Sequence, residues 1–317
     1  MTNKSNNQGR AYEYIFLITL DRMINAKRKA KIDKNSSYLA AKRGWDAIGK
    51  DIQQTLTISA KAAVPVLFDL EPLILEDDGD MLELRIQKDS KGETGDVRDI
   101  LIIRSDIMWE VGLSLKHNHF AVKHSRLSKG LDFGQKWFGR SCSSQYWDDV
   151  DPVFKLLEAE KTKGHLWEDM STKEDNVYAP LLKAFMDEIR RSNEESADLP
   201  RKMVEYLLGE YDFYKVISLD RDRLTQIHAY NLRGKLNKSG RAGKPKIAVP
   251  VSSLPTRIIY MGLKPNSKNT VEICMDKGWQ FSFRIHNATK IVETSLKFDV
   301  QIIGMPADIL VINCQWR

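Results

Sequence analysis

The run WEVGLSLKHNHF (109–120) alternates strictly at its start. Trp109, Val111, Leu113 and Leu115 fall on one side, and Glu110, Gly112, Ser114 and Lys116 on the other. Such period-two patterning predicts a half-buried strand with a polar face. Upstream, RDILIIR (98–104) reads as a second strand and SDIM as the loop between them. If Arg104 pairs with Trp109, every opposed pair shares one sum of residue numbers, and Asp99 falls opposite Ser114. Opposed Cβ atoms lie about 5 Å apart, and Lys116 follows on the same face about 7 Å along the strand. Asp99, Ser114 and Lys116 therefore converge.

A carboxylate, a hydroxyl and an ammonium at one spot suit hydrolysis of a phosphodiester. That reaction needs a divalent cation to neutralise the phosphate and acidify water, a carboxylate to hold the cation, and a positive group to orient the nucleophile or stabilise developing charge. Mg²⁺ prefers oxygen ligands, keeps several waters and requires only one or two carboxylates. The expected ligands are Asp99, the main-chain carbonyl of Leu115, and Glu13 from an upstream helix. Glu110 opposes Ile103, about 13 Å up the strand, too far to share the ion. The competing reading is a surface Asp beside a surface Lys, a common arrangement without chemistry.

The elements that must position these groups are legible in outline. A helix is predicted from near Gly9 through AYEYIFLITLDRMI, with Glu13, Leu17, Leu20 and Ile24 on one stripe. A carboxylate on that stripe either sits at a helix end reaching water or needs a buried partner such as a metal or lysine. A second helix follows Ser36-Ser37, with Tyr38, Ala41, Trp45, Ile48 and Ile52 at helical spacing. MLELRIQK (81–88) reads as a strand and SKGETG (90–95) as a turn. FAVKHSRLSKGL, after the alternating run, is expected to be helical. The first part of the chain is then a helix, a three-strand antiparallel meander and a helix. Residues 146–212 read as helical. From 213 onward YKVIS, RIIYMGL, TVEICMD, WQFSFRIH and IVETSLKFDVQII read as strands, with KPNSKN and DKG as hairpin turns. LNKSGRAGKPK (236–246) is too rich in Gly and Lys for a regular element. The expected partition is a catalytic half (1–145), a helical segment (146–212) and a β-rich module (213–317).

Composition narrows the class. At 317 residues, 42% hydrophobic and 29% charged, the chain is an ordinary globular protein. Its longest apolar run, YIFLITL, is too short to span a bilayer, and the polar N-terminus lacks a signal peptide's apolar core. Cys142, Cys274 and Cys314 form neither a disulfide framework nor a CxxC metal site, so a reducing, cytoplasmic setting is expected. The net charge of +6 is segregated: residues 221–246 hold eight Lys or Arg against one acid, whereas 145–198 hold fourteen acids against seven bases. A basic stretch of this kind suits a polyanion, or is simply a solvated loop.

NNQGRAYEYI, GDVRDILIIR, GLSLKHNHFAVKHSRLS followed by DFGQKWFG, and FSFRIHNATKIVETSLKFDVQIIG resemble the HaeIII-type restriction endonucleases from the first residues to the last. The resemblance implies a type II restriction enzyme with an α/β core of the PD-(D/E)xK type. It further implies Mg²⁺-dependent cleavage of duplex DNA at GGCC to blunt ends, with a cognate cytosine methyltransferase protecting the host. Two departures stand out. Arg98 precedes Asp99 where the motif's name has Pro, and Ser114 occupies the place of the second acid. This S-x-K form draws its second carboxylate from elsewhere; Glu13 is the first candidate and Glu110 the second. The 213–317 module then becomes a DNA-recognition module.

The literal HNH of residues 117–119 does not have the scattered spacing of HNH nucleases, and adjacent strand side chains leave on opposite faces. His124 and Arg126 are better placed to touch phosphate or brace the site, or are structural. Guanine readout calls for Arg or Lys and cytosine readout for acceptors. Arg233, Lys235, Lys238, Arg241, Lys244 and Lys246, together with Arg284 and Asn287, are the DNA-contacting candidates, most of them to phosphate. The alternative function is a catalytically silent DNA-binding protein, or a repair nuclease without fixed sequence. A palindromic site favours a homodimer.

Overall fold

The computed structural model describes residues 2–88, 95–241 and 243–317, the side chains of 2–5 and 124 excepted. The chain forms two compact units. One comprises Met1–Phe120, Gly209–Ser253 and Asp308–Arg317; the other comprises Ala121–Leu208 and Leu254–Ala307. These boundaries differ from the expected cuts after residues 145 and 212.

The first unit contains helices α1 (Thr2–Asn25), α2 (Ser36–Asp46) and α3 (Lys50–Leu70). Its strands are β1 (Ala30–Asp33), β2 (Leu82–Ile86), β3 (Ile100–Arg104), β4 (Trp109–His117), β6 (Phe213–Leu219), β7 (Leu224–Tyr230) and β12 (Leu310–Gln315). They form one seven-stranded sheet in the order β1-β2-β3-β4-β6-β7-β12. The α1 stripe of Leu17, Leu20 and Ile24 packs in one aliphatic core with Ile100, Ile102, Leu113 and Leu115. Each fully buried Leu or Ile contributes about 1.5–3 kcal/mol, so this face fixes both the helix and the hairpin register. The stripe expected to continue α2 through Ile48 and Ile52 breaks after Asp46, and α3 starts anew beyond its Gly49 cap.

The second unit holds α4 (Phe133–Phe138), α5 (Ser144–Thr162), α6 (Ala179–Glu195) and α7 (Leu199–Leu208). Its strands are β5 (Ala121–Ser128), β8 (Ile258–Leu263), β9 (Thr270–Met275), β10 (Gln280–His286) and β11 (Ser295–Gly304). They form an antiparallel sheet in the order β5-β11-β10-β9-β8. Its core is aromatic: Trp137 and Phe185 meet Phe283 and Phe298 with ring centroids 5.0–6.2 Å apart. No helix among the described residues is long and apolar enough to cross a membrane. Cys142, Cys274 and Cys314 are free thiols.

The element expected to be a helix after the alternating run is a correction. FAVKHSRLSKGL contains β5, paired along its length with β11. Ala121, Ser125 and Leu127 turn inward with period two, and a partner nearly two hundred residues downstream supplies the ladder that overrides local helical spacing. His124 and Arg126 therefore lie on a strand. The strands of 213–317 are also divided, since β6, β7 and β12 complete the first sheet while β8 to β11 build the second. Apart from Gly95, the expected SKGETG turn lies outside the described residues.

Candidate active site

The hairpin register is the one that the alternation implies: Arg104 opposes Trp109 and Ile100 opposes Leu113. One step further, where the regular pairing ends, the Asp99 N–H donates to the Leu113 carbonyl at 2.7 Å and the Asp99 side chain reaches Ser114. Its Oδ2 accepts from the Leu115 N–H at 2.6 Å, the Ser114 hydroxyl at 3.2 Å and the Lys116 ammonium at 3.3 Å. All three bonds converge on Oδ2, and Oδ1 is not among their acceptors. Because the N–H and C=O of a strand residue leave on the same edge, the Leu115 carbonyl also points toward the Asp99 edge.

Beside this cluster lies a cavity of about 150 Å³ whose wall includes Glu13, Gln87, Asp96, Arg98 and Asp99. Glu13 thus shares a cavity with Asp99, while its carboxylate pairs with Arg10 at 3.7 Å, one helical turn back. Among the described residues, no group of three or more His, Cys, Asp or Glu forms a metal cage. Two carboxylates, a strand carbonyl and water are a donor set that fits Mg²⁺ and not a soft metal.

Glu110 lies elsewhere. It binds Arg98 Nη1 at 2.7 Å, and Arg98 also grips Asp96 through Nε and Nη2 at 2.8 Å each. Burial works against the Arg98 charge, but bonds from Asp96 and Glu110 outweigh it and hold the guanidinium firmly protonated. Burial likewise opposes the Asp96 charge; Arg98 and Gln87 reverse this and keep the carboxyl below its usual range. Arg98 crosses directly over Gly112, where a Cβ would stand 1.9 Å from Arg98 Cδ. That close approach requires glycine on the polar face of β4. It also leaves Glu110 as the partner of Arg98, apart from the Asp99 cavity.

One group at the site escaped the sequence reading. Lys215 sits mid-strand on β6, directly beside Ser114 in a parallel ladder, and is 2% exposed. Burial drives its amine well below the usual lysine range; nearby Lys116 pushes the same way and Asp99 against it. Its Nζ donates to the Phe120 carbonyl at 2.7 Å. The signal was a lone lysine inside the apolar run FYKVISL, whose nearness to Ser114 only a long-range pairing reveals. The HNH letters serve the fold here: His117 Nε2 meets Asp220 Oδ2 at 2.8 Å, and Asn118, in the left-handed region at φ 58°, accepts from the Asp220 N–H at 3.0 Å.

The expected DNA-contacting residues fall in both units. In the first, Arg233, Lys235, Lys238, Arg241, Lys244 and Lys246 are exposed on an irregular segment. That segment is anchored where Glu71 accepts from the Asn237 N–H and the Tyr214 hydroxyl. In the second unit, Arg126 opposes Lys297, which opposes His286, so three basic residues form one row across β5, β11 and β10. The next row places His124, Asp299 and Arg284 in register, with Arg284 Nη2 at 3.2 Å from Asp299. Asn287 lies beyond β10 and accepts from the Tyr178 hydroxyl at 3.4 Å.

A family model described as the HaeIII restriction endonuclease matches residues 9–306. The chain is 51% identical to the type II restriction enzyme HaeIII of Haemophilus aegyptius over 318 residues, covering all of both chains. No solved structure matches.

Proposed function

The chain belongs to the HaeIII restriction endonuclease family, and we propose that its Asp99, Ser114 and Lys116 form the site where it hydrolyses duplex DNA. It is a type II site-specific deoxyribonuclease. The site sequence we infer is GGCC, cut to blunt ends, with a cognate cytosine methyltransferase as functional partner and a homodimer matching the palindrome.

We read α1 and the β2-β3-β4 meander as a PD-(D/E)xK core in S-x-K form. The observation that carries this is the convergence of Ser114, Leu115 N–H and Lys116 on one oxygen of Asp99. Asp99, Glu13 and the Leu115 carbonyl would hold Mg²⁺. The bound ion supplies charge neutralisation at the phosphate and a more acidic water. Lys116 orients the attacking water and offsets charge on the phosphate oxygens. Ser114, donating to Asp99 Oδ2, fixes the carboxylate that would hold the ion. Glu110 holds Arg98, which in turn fixes Asp96 on the cavity wall.

DNA is held by the exposed cations of 233–246 and by the polar face of the second sheet, where Arg126, Arg284 and Asn287 stand and His124 has its register position. Most of these contacts go to phosphate and position the duplex; fewer read bases.

Plasmid DNA incubated with Mg²⁺, with and without prior cytosine methylation at GGCC, tests this reading. Discrete fragments that vanish on methylation are expected. A smear would indicate a nuclease without fixed sequence, and intact plasmid with tight retention in Ca²⁺ a silent binder; either sinks the proposal.

A further inference from the structure

The ladder between β3 and β4 stops at Ile100 and Leu113, with Asp99 adding one last bond. Beyond it, among the described residues, Leu115, Lys116 and His117 have ladder partners only in Val216, Ile217 and Ser218 of β6. Lys116 thus stands on a stretch of strand whose ladder runs along one edge, immediately before the chain turns away at Asn118.

Three consecutive anchors from β6 and its turn hold that exit. Lys215 Nζ donates to the Phe120 carbonyl at 2.7 Å, the Asn118 N–H donates to the Ser218 carbonyl at 2.8 Å, and Asp220 binds His117 and Asn118. Of these, Lys215 is the costly one, because a buried amine forfeits its hydration. Its neighbour on β7, His228, is held down to about 4 by burial and then by Lys215, so it stays a neutral ring. The Phe120 ring stacks on that imidazole at 6.3 Å. A strand that needed only packing here would carry Val or Leu.

We propose that Lys215 is a positioning residue for Lys116: its bond to the Phe120 carbonyl fixes the exit of β4 and keeps the Lys116 ammonium on Asp99. This rests on the role proposed above for Lys116. The tie needs only an N–H donor, so it acts whether or not Lys215 is charged.

The test compares Lys215→Met, which keeps the length and removes the donor, with the wild type. The expected result is a split. Thermal melting is unchanged or raised, affinity for a GGCC duplex in Ca²⁺ stays within about twofold, and the single-turnover cleavage rate at saturating DNA and Mg²⁺ falls at least about tenfold. Asp220→Ala, which loosens the same segment from the surface, gives the same split with about a threefold loss and decides the matter if Lys215→Met does not fold. Cleavage at the wild-type rate by Lys215→Met, or by Asp220→Ala where it must decide, overturns the proposal, as does a loss wholly in duplex affinity. If Lys116→Ala itself cuts normally, the reading of the active site has failed and not this one.

Discussion

On the polar face of the seven-stranded sheet, charge lies beneath the surface. Lys215 is 2% exposed and Arg98 6%, each bound by named partners. On the five-stranded sheet the cations stand outside. Arg126 is exposed, the Arg284 side chain keeps 54% of its exposure, and the aromatic residues occupy the opposite face. A buried ion must be matched bond for bond, which fixes its position and makes it useful for chemistry. An exposed ion stays hydrated and loosely placed, which suits a backbone of phosphates read without regard to sequence. The two sheets therefore differ in what a substitution should do.

The largest effect is expected inside the first sheet. Asp99→Ala should reduce cleavage about a thousandfold or more, a loss typical of removing one preorganised charged group, while DNA retention in Ca²⁺ persists. Normal cutting by this variant, scored on plasmid, would break the assignment. Glu13→Gln is expected to fall short of that, by about a hundredfold, since one carboxylate, the Leu115 carbonyl and water remain; a rate equal to wild type returns the second-acid question to the rest of the cavity.

Next comes packing. Gly112→Ala places a methyl on Arg98, whose guanidinium cannot retreat without leaving Asp96 and Glu110. A loss of about 1–3 kcal/mol is expected, seen as a melting point lower by several degrees. Arg126→Gln, on the open sheet, should change stability by less than about 0.5 kcal/mol. Equal melting of the two variants would erase the contrast.

Salt dependence sharpens the other side. Arg126→Gln and Arg284→Gln should each lower the slope of log K against log salt by about 0.9, with a similar loss on GGCC and scrambled duplexes. Unchanged slopes in a binding titration would remove these residues from the DNA contact.

The remaining expected effect is on pH dependence. The folded His228 titrates at about 4, against about 6.5 unfolded, because of burial and then Lys215. Its neutral burial contributes stability that is present above 6.5 and lost as pH falls toward 4. His228→Phe should therefore gain on the wild type across that window in denaturant melts. A pH-independent difference between the two proteins argues against a buried neutral imidazole.

What the sequence disclosed and what it hid follow from distance along the chain. The β3–β4 register could be counted because SDIM is a short loop and one face is apolar, so a one-residue slip would bury Glu110 and Lys116. The α1 stripe with Glu13 was legible for the same local reason. The helix expected at 120–131 failed because AVKHSRLS has weak preference of its own and takes its conformation from β11. Lys215 was invisible as a site residue since its neighbour Ser114 lies about a hundred residues earlier. Glu110 stood on the correct face, but only the crossing of Arg98 over Gly112 reveals what it binds.

The parallel pairing of β4 with β6 has a consequence for how the molecule comes into being. The chain between them builds much of the second unit, and β12 returns to β7 only after β8 to β11 have been made. Closing such long loops is slow relative to forming a hairpin. Asp99 and Lys116 can meet as soon as the β3–β4 turn forms, but the brace from Lys215 exists only once a hundred further residues have been synthesised. A nascent chain therefore carries the residues proposed to cut well before it can hold them in place.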